Sequence, residues 1–120
     1  MAKDLMKTNL VTLPPSEPVS KAARLMKEHN IGSILIIDAG KLVGIFTERD
    51  LVRLVADGAP LDTSLGEVMT RDLVTVKPSD PAIRVICRMI ERNVRHIPVV
   101  DDEGRPVGII SGRDVMRNLF

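Results

Sequence analysis

Tryptophan and tyrosine are missing from this chain, and phenylalanine occurs only at Phe46 and Phe120, so aromatic residues make up 2% of the 120 positions. Proteins that stack the bases of single-stranded nucleic acids need such rings, and their scarcity argues against that class of partner. A surplus of one charge is missing too. Seventeen Lys and Arg against sixteen Asp and Glu leave a formal net charge of +1, without the clustered basic surface of a nucleic-acid footprint, so no DNA partner is expected. No apolar run approaches the roughly 20 residues of a membrane span. The first nine residues carry Lys3, Asp4 and Lys7 and contain no signal-peptide core. The expectation is a soluble, cytoplasmic protein with no membrane partner. A lone cysteine, Cys87, has no internal disulfide partner, which fits a reducing compartment. Glutamine is absent and asparagine scarce, a composition that hints at a hot-living source.

What the chain does have is material for a core, 44% hydrophobic residues, in a length of 120 residues that suffices for one compact domain but not for two independent ones. It also has an internal repeat. At an offset of 63, Leu10-Val11-Thr12 falls on Leu73-Val74-Thr75, Pro15-Ser16 on Pro78-Ser79, and Met26 on Met89. Glu28, Asn30, Ile34 and Asp38 land on Glu91, Asn93, Ile97 and Asp101. Past the extra residue Glu103 the offset becomes 64, and Val43-Gly44-Ile45 matches Val107-Gly108-Ile109, with Arg49-Asp50 on Arg113-Asp114. Residues of such mixed chemistry repeat in order because the chain is a duplication. The two repeats are expected at residues 1–60 and 61–120.

Each repeat predicts the same elements. Ser16 precedes a helix with Pro18 in its first turn and an apolar stripe at Val19, Ala22, Ala23 and Met26; the twin stripe is Ala82, Val85, Ile86, Met89 and Ile90. Strands follow at about 33–37 and 97–100. Short polar turns then lead into strands at about 42–46 and 107–110, as in hairpins. A second helix runs from near Thr47 to near Gly58, its counterpart from Ser111 to Phe120, with residues 59–64 as linker. The fold class expected is α/β (α+β), two tandem β-α-β-β-α repeats packed sheet to sheet around a pseudo-two-fold axis, with a cleft between them. Apolar helix positions such as Leu51, Val55, Val115 and Leu119 would be left for a partner, so a homodimer is expected.

The chemistry concentrates where a strand meets a helix: Gly44-Ile45-Phe46-Thr47-Glu48-Arg49-Asp50 and Gly108-Ile109-Ile110-Ser111-Gly112-Arg113-Asp114. A hydroxyl at a helix start with a carboxylate three residues on is, at its simplest, a capping box. The same geometry suits a nucleotide. Free N–H groups and the helix dipole attract phosphate, arginine supplies charge, and an acidic group accepts from ribose hydroxyls.

These features together resemble a tandem pair of cystathionine-β-synthase-type (CBS) domains, a Bateman module. The likeness runs from Asp4 to Phe120. It rests on Asp4-Leu5-Met6 with Leu10-Val11-Thr12, its repeat Glu67-Val68-Met69 with Leu73-Val74-Thr75, the segment from Arg95 to Asp101, and the two junctions. The resemblance implies regulatory, energy-sensing binding of an adenine nucleotide between the repeats: AMP foremost, also ADP or ATP, with S-adenosylmethionine and NAD(H) as further options. It implies that Asp50 and Asp114 hold ribose hydroxyls and that Thr47 and Ser111 contact phosphate. Backbone around Thr12 and Thr75, Ser33-Ile34 and His96-Ile97-Pro98 would frame adenine. Arg49, Arg113, Arg95 and His96 are the candidates for phosphate charge. Gly32-Ser33 stands in the first repeat where Arg95-His96 stands in the second, so the second site should hold an anion better.

Other candidates carry less. His29, His96 and Cys87 lack metal-ligand spacing, so no metal site is expected. Cys87 reads as a small packing residue, and Met26, Met69, Met89 and Met116 as fillers of an aliphatic core. Asp101-Asp102-Glu103 reads as a solvated turn. No nucleophile has an adjacent base, no carboxylates form a buried pair and no loop would cleave phosphate, so neither an enzyme nor a catalytic cofactor is expected. The alternative function is a ligand-free interaction module acting through dimerisation.

Overall fold

The computed structural model describes residues 1–119, with side chains through residue 118. Phe120 and the side chain of Leu119 lie outside the described residues. In chain order the elements are α1 (Ala2–Leu5), β1 (Thr12–Leu13), α2 (Val19–His29), β2 (Ser33–Asp38), β3 (Lys41–Thr47), α3 (Glu48–Ala56), α4 (Leu65–Val68), α5 (Ala82–Arg92), β4 (His96–Val100), β5 (Pro106–Ser111) and α6 (Gly112–Leu119). They form two compact units, one of Val11–Leu73 and one that joins Met1–Leu10 to the residues from Val74 onward.

In the unit of Val11–Leu73, β1 runs parallel to β2 and β2 antiparallel to β3. Helix α2 buries Val19, Ala22 and Met26, a three-then-four spacing that keeps one face on the sheet. The helix starts later than the sequence suggests. Pro18 is extended (φ −77°, ψ 156°) and stands before the first turn rather than inside it. Ser16 has no part in the cap. Instead the N–H groups of Val19 and Ser20 donate to the carbonyls of Thr63 and Leu61, both at 2.9 Å, so the segment expected as a linker satisfies the helix start. Asn30 ends the helix in the left-handed region (φ 52°), where asparagine is tolerated, and Ile31 N–H returns to Met26 O at 3.0 Å. Leu65 and Met69 complete a buried cluster with Leu13, Val19, Ala22, Met26, Ile34, Ile36 and Phe46.

In the other unit β4 and β5 form a hairpin, and Val76 lies beside Val99 through a single parallel bridge, where β1 stands in the first repeat. Its cluster is Ala2, Val74, Val76, Val85, Ile97, Val99, Ile110 and Val115. Helix α1 is held at both ends. Ala2 and Lys3 donate to the carbonyls of Asp80 (2.7 Å) and Pro78 (3.0 Å), and Lys7 exchanges backbone bonds with Ile109 at 2.9 and 3.0 Å. The repeats of the sequence and the compact units are therefore assembled differently. Each unit carries the short helix that precedes the other repeat, α1 in one and α4 in the other.

Several expectations change with burial. Ile90 is 75% exposed although its repeat places it on the apolar stripe. At 3.6 residues per turn it sits roughly 90° from the centre of the face that buries Val85, on the side of exposed Ile83. Val115 is buried in the cluster rather than left for a partner, Leu51 is half-buried, and Met116 is exposed rather than a core filler. Cys87 is exposed on α5 instead of packed. The acidic turn is tied both locally and to Lys77, whose Nζ donates to Asp101 O at 2.9 Å and pairs with Asp102 at 3.3 Å. Within the turn, Asp101 Oδ1 accepts from the N–H groups of Glu103 and Arg105 at 2.9 Å each, and Arg105 pairs with Asp101 and Glu103. The bonds within the turn, the Arg105 backbone N–H first, lower the Asp101 pKa below the usual carboxylate value. Among the described residues no helix is long and apolar enough to cross a membrane.

Candidate functional site

The end of β3 and the start of α3 place the first junction. Ser33 opens β2 directly opposite Thr47, the last residue of β3, and Gly32 O accepts the N–H of Glu48 at 3.0 Å. The chain therefore turns from strand to helix with Thr47 as cap. Asp50 sits three residues on, and its Oδ2 accepts from the Thr47 N–H at 2.9 Å and the Thr47 hydroxyl at 3.0 Å. The Asp50 N–H donates back to Thr47 Oγ1 at 3.3 Å, closing the capping box. A residue from further along the unit joins it: the Thr70 hydroxyl lies 3.3 and 3.4 Å from the two Asp50 oxygens. Thr70 is fixed there by pairing with Ile45, with backbone bonds of 2.9 and 3.0 Å.

The second junction repeats this plan with different chemistry around it. His96 opens β4 opposite Ser111, and Arg95 O accepts the Gly112 N–H at 2.8 Å. Asp114 Oδ2 accepts from the Ser111 N–H at 2.9 Å and its hydroxyl at 3.0 Å, and the Asp114 N–H donates to Ser111 Oγ at 3.2 Å. The other oxygen, Oδ1, faces two cations, Lys7 Nζ at 3.5 Å and Arg117 Nη1 at 3.6 Å. Asp114 is 3% exposed, a depth at which an unpaired carboxylate would be costly and a paired one is expected.

The sequence-predicted residues fall into two sets. Thr12 on β1, Ser33 and Ile34 on β2, Thr47 on β3, and Arg49 and Asp50 on α3 belong to one unit. Thr75, Arg95, His96, Ile97, Pro98, Ser111, Arg113 and Asp114 belong to the other. Within each set the hydroxyl and the carboxylate are in direct contact. Ile34 and Ile97 are fully buried and Pro98 nearly so, so these three offer a ligand only backbone. The carbonyl of Pro98 already accepts from Val76 N–H at 3.2 Å. Arg49, Arg95 and Arg113 lie at the surface.

The helix starts are less open to an anion than the sequence suggests. In both helices the first N–H is taken by a carbonyl, of Gly32 or Arg95, and the third by the cap hydroxyl. That hydroxyl in turn donates to the aspartate, so contact with a phosphate would mean trading one acceptor for another. Sequence reasoning missed Lys7, Thr70 and Arg117. Their signal was present: Lys7 and Thr70 occupy the same place in the two repeats, directly after Met6 and Met69.

Comparison with known proteins places this geometry. The CBS domain family matches residues 2–57 and 65–120, so both repeats are accounted for. The CBS domain-containing protein YhcV of Bacillus subtilis is 35% identical over 117 residues, covering 97% of this chain and 83% of that protein. The CBS domain pair of protein MJ0100, solved with 5′-methylthioadenosine and S-adenosyl-L-methionine, superposes with a TM-score of 0.93 at 32% identity, covering 100% of this chain and 99% of that one. A CBS domain protein of Pyrobaculum aerophilum, PAE2072, solved with AMP, gives a TM-score of 0.89 at 26% identity, covering 98% and 96%. With two successive family matches on a duplicated α/β plan, this chain belongs to the CBS domain family and is a CBS domain pair.

Proposed function

We propose that this chain is a regulatory module, not an enzyme, that binds an adenosine-containing ligand at the Asp50 and Asp114 junctions. AMP is the first candidate, with ADP, ATP, S-adenosylmethionine and NAD(H) sharing the same adenosine. The observation that carries the reading is the duplicated carboxylate at a strand-to-helix corner, held identically through Oδ2 in both units. Oδ1, which faces the Thr70 hydroxyl in one unit and the Lys7 and Arg117 cations in the other, is the acceptor proposed for a ribose hydroxyl. Solved relatives of the same fold bind 5′-methylthioadenosine, S-adenosylmethionine and AMP. The sequence repeats 1–60 and 61–120 would then each supply one such corner. Cytoplasmic residence belongs to the same proposal, since a surface thiol such as Cys87 stays reduced there.

A thermal-shift panel with AMP, ADP, ATP, S-adenosylmethionine and NADH, each with and without Mg²⁺, tests it. A ligand at 100 times its Kd adds about 2.7 kcal/mol to the native state. Asp114→Ala removes the ribose acceptor and should weaken binding about tenfold or more, the loss expected for a buried charged acceptor. It also costs about 0.5–2 kcal/mol of stability as a lost cap. Asp114→Asn keeps an oxygen on Ser111 and separates the two effects. If Asp50→Ala and Asp114→Ala both bind every ligand as the parent does, the reading is wrong.

A role in association has its own support. Val52 and Val55 on α3, Ile83 and Ile90 on α5, and Met116 on α6 are all exposed large apolar side chains. We therefore expect a homodimer. Light scattering at micromolar concentration should give twice the chain mass, and a monomeric mass would remove this part of the proposal.

A further inference from the structure

The two aspartates have the same caps and different third partners, and that difference reaches beyond one residue. Asp50 accepts from the Thr47 N–H and from the hydroxyls of Thr47 and Thr70. Asp114 is touched by the Ser111 hydroxyl and by the cations of Lys7 and Arg117. Around the first corner stand Arg49 and Arg53 on α3, balanced by Asp50 and Glu48. At the second corner Gly112 replaces Glu48 and Arg95 replaces Gly32. Lys7 and Arg117 there face the carboxylate of Asp114, and Arg95 and Arg113 are exposed residues of the segments that meet at the junction. Among these named residues the first corner carries no surplus charge and the second a cationic surplus. Backbone pairing with Ile109 fixes the Lys7 main chain at the edge of β5, so Lys7 is placed by the fold and is not a loose surface charge.

We propose that the two sites take adenosine ligands of opposite electrostatic kind, with Lys7 and Thr70 as the specificity-determining pair. The Asp114 site takes an adenosine that carries phosphate. Its surplus cations attract the anion while Lys7 and Arg117 neutralise the buried carboxylate that would otherwise repel it. The Asp50 site takes an adenosine whose 5′ substituent is neutral or cationic, because no lysine offsets its aspartate. This rests on the proposed ribose role of Asp50 and Asp114 and deepens it by naming the ligand charge at each.

Isothermal titration calorimetry of the full chain tests the proposal, using AMP and 5′-methylthioadenosine at two salt concentrations. The parent protein should bind both, and added salt should weaken AMP while leaving 5′-methylthioadenosine nearly unchanged. Lys7→Thr should weaken AMP about tenfold, because the Asp114 charge near the phosphate is then less compensated, and change 5′-methylthioadenosine by less than about twofold. Lys7→Arg should retain AMP binding. Thr70→Lys should let the first site take AMP as well, raising the stoichiometry. Equal weakening of both ligands by Lys7→Thr would mean that Lys7 is only a structural strut and would overturn the proposal. So would an unchanged AMP affinity. If the parent binds neither compound, the adenosine reading itself fails, an outcome distinct from the other two.

Discussion

Phe46→Ala should unfold this protein more readily than any surface change, lowering stability by about 3–5 kcal/mol, the cost of deleting a fully buried phenylalanine. Phe46 is the largest fully buried side chain and pairs across the sheet with Ile34, itself fully buried. It lies among Leu13, Val19, Met26, Leu65 and other aliphatic residues. None of these is an aromatic that could turn into the vacated volume. With total stabilities of about 5–15 kcal/mol for natural domains, the loss is a large share of the whole. For a chain of this size it corresponds to a melting shift of about 10–20 °C. Phe46→Leu keeps most of the apolar volume and should cost about 1.5 kcal/mol or less. The repeat offers an internal comparison: Ile110 takes the place of Phe46 in the second repeat and is also fully buried, so Ile110→Ala should cost about 2–5 kcal/mol. Denaturant melts of the three variants check this. A Phe46→Ala loss under about 1 kcal/mol would mean that the cluster of Val11–Leu73 refills itself and is not close-packed.

Periodicity and the internal repeat made much of this legible in advance. Helices α2 and α5, both hairpins and the capping-box residues Thr47, Asp50, Ser111 and Asp114 stand where the sequence places them, within a residue or two. Besides the burial of single helix positions such as Ile90, Val115 and Met116, what was not legible depends on contacts distant in sequence. Helices α1 and α4 have four residues each, too few for an apolar period to show or for a helix to hold by itself. They exist because Ala2 and Leu65, both fully buried, are packed by residues distant in sequence. The same distance hid two of the site's third partners, whereas Arg117, three residues from Asp114 on the same helix, was within local reach. Thr70 is 20 residues from Asp50 and Lys7 more than a hundred from Asp114, and no local pattern reports such a contact.

This bears on the meaning of the capping boxes. A cap needs only its own four residues, as Thr47 to Asp50 or Ser111 to Asp114 supply. Stabilising the helix start does not require a further residue on the far carboxylate oxygen, yet each unit brings one by backbone pairing of an otherwise short segment, Lys7 on Ile109 and Thr70 on Ile45. A carboxylate so enclosed is oriented before any ligand arrives, and pre-orientation lowers the cost of binding.

Gly108→Val should be the most damaging single-residue enlargement, at about 3 kcal/mol, the upper end of ordinary overpacking costs. A Cβ at Gly108 would lie 2.8 Å from Met6 Cγ and 2.9 Å from Met6 Cβ, closer than non-bonded carbons tolerate. The Met6 side chain can swing away but its Cβ cannot, because the next residue is fixed to β5 by the Lys7–Ile109 pair. Relief would have to lift the segment from the sheet edge, and Lys7 would leave Asp114 with it. Gly44 repeats the arrangement against Met69 with a little more room, the Cβ–Cβ approach being 3.2 Å, so Gly44→Val should cost less than Gly108→Val. Truncating the opposing side chain separates the two sources of strain. Met6→Ala should recover the part of the Gly108→Val loss that comes from Met6 Cγ and the sulfur, giving a favourable coupling of about 0.5–3 kcal/mol in a double-mutant cycle. A cycle with no coupling would mean that Met6 and Gly108 are not the contact that seats the N-terminal segment. A full coupling measured together with intact AMP binding would show that seating the segment, and not the methionine itself, is what keeps Lys7 at Asp114.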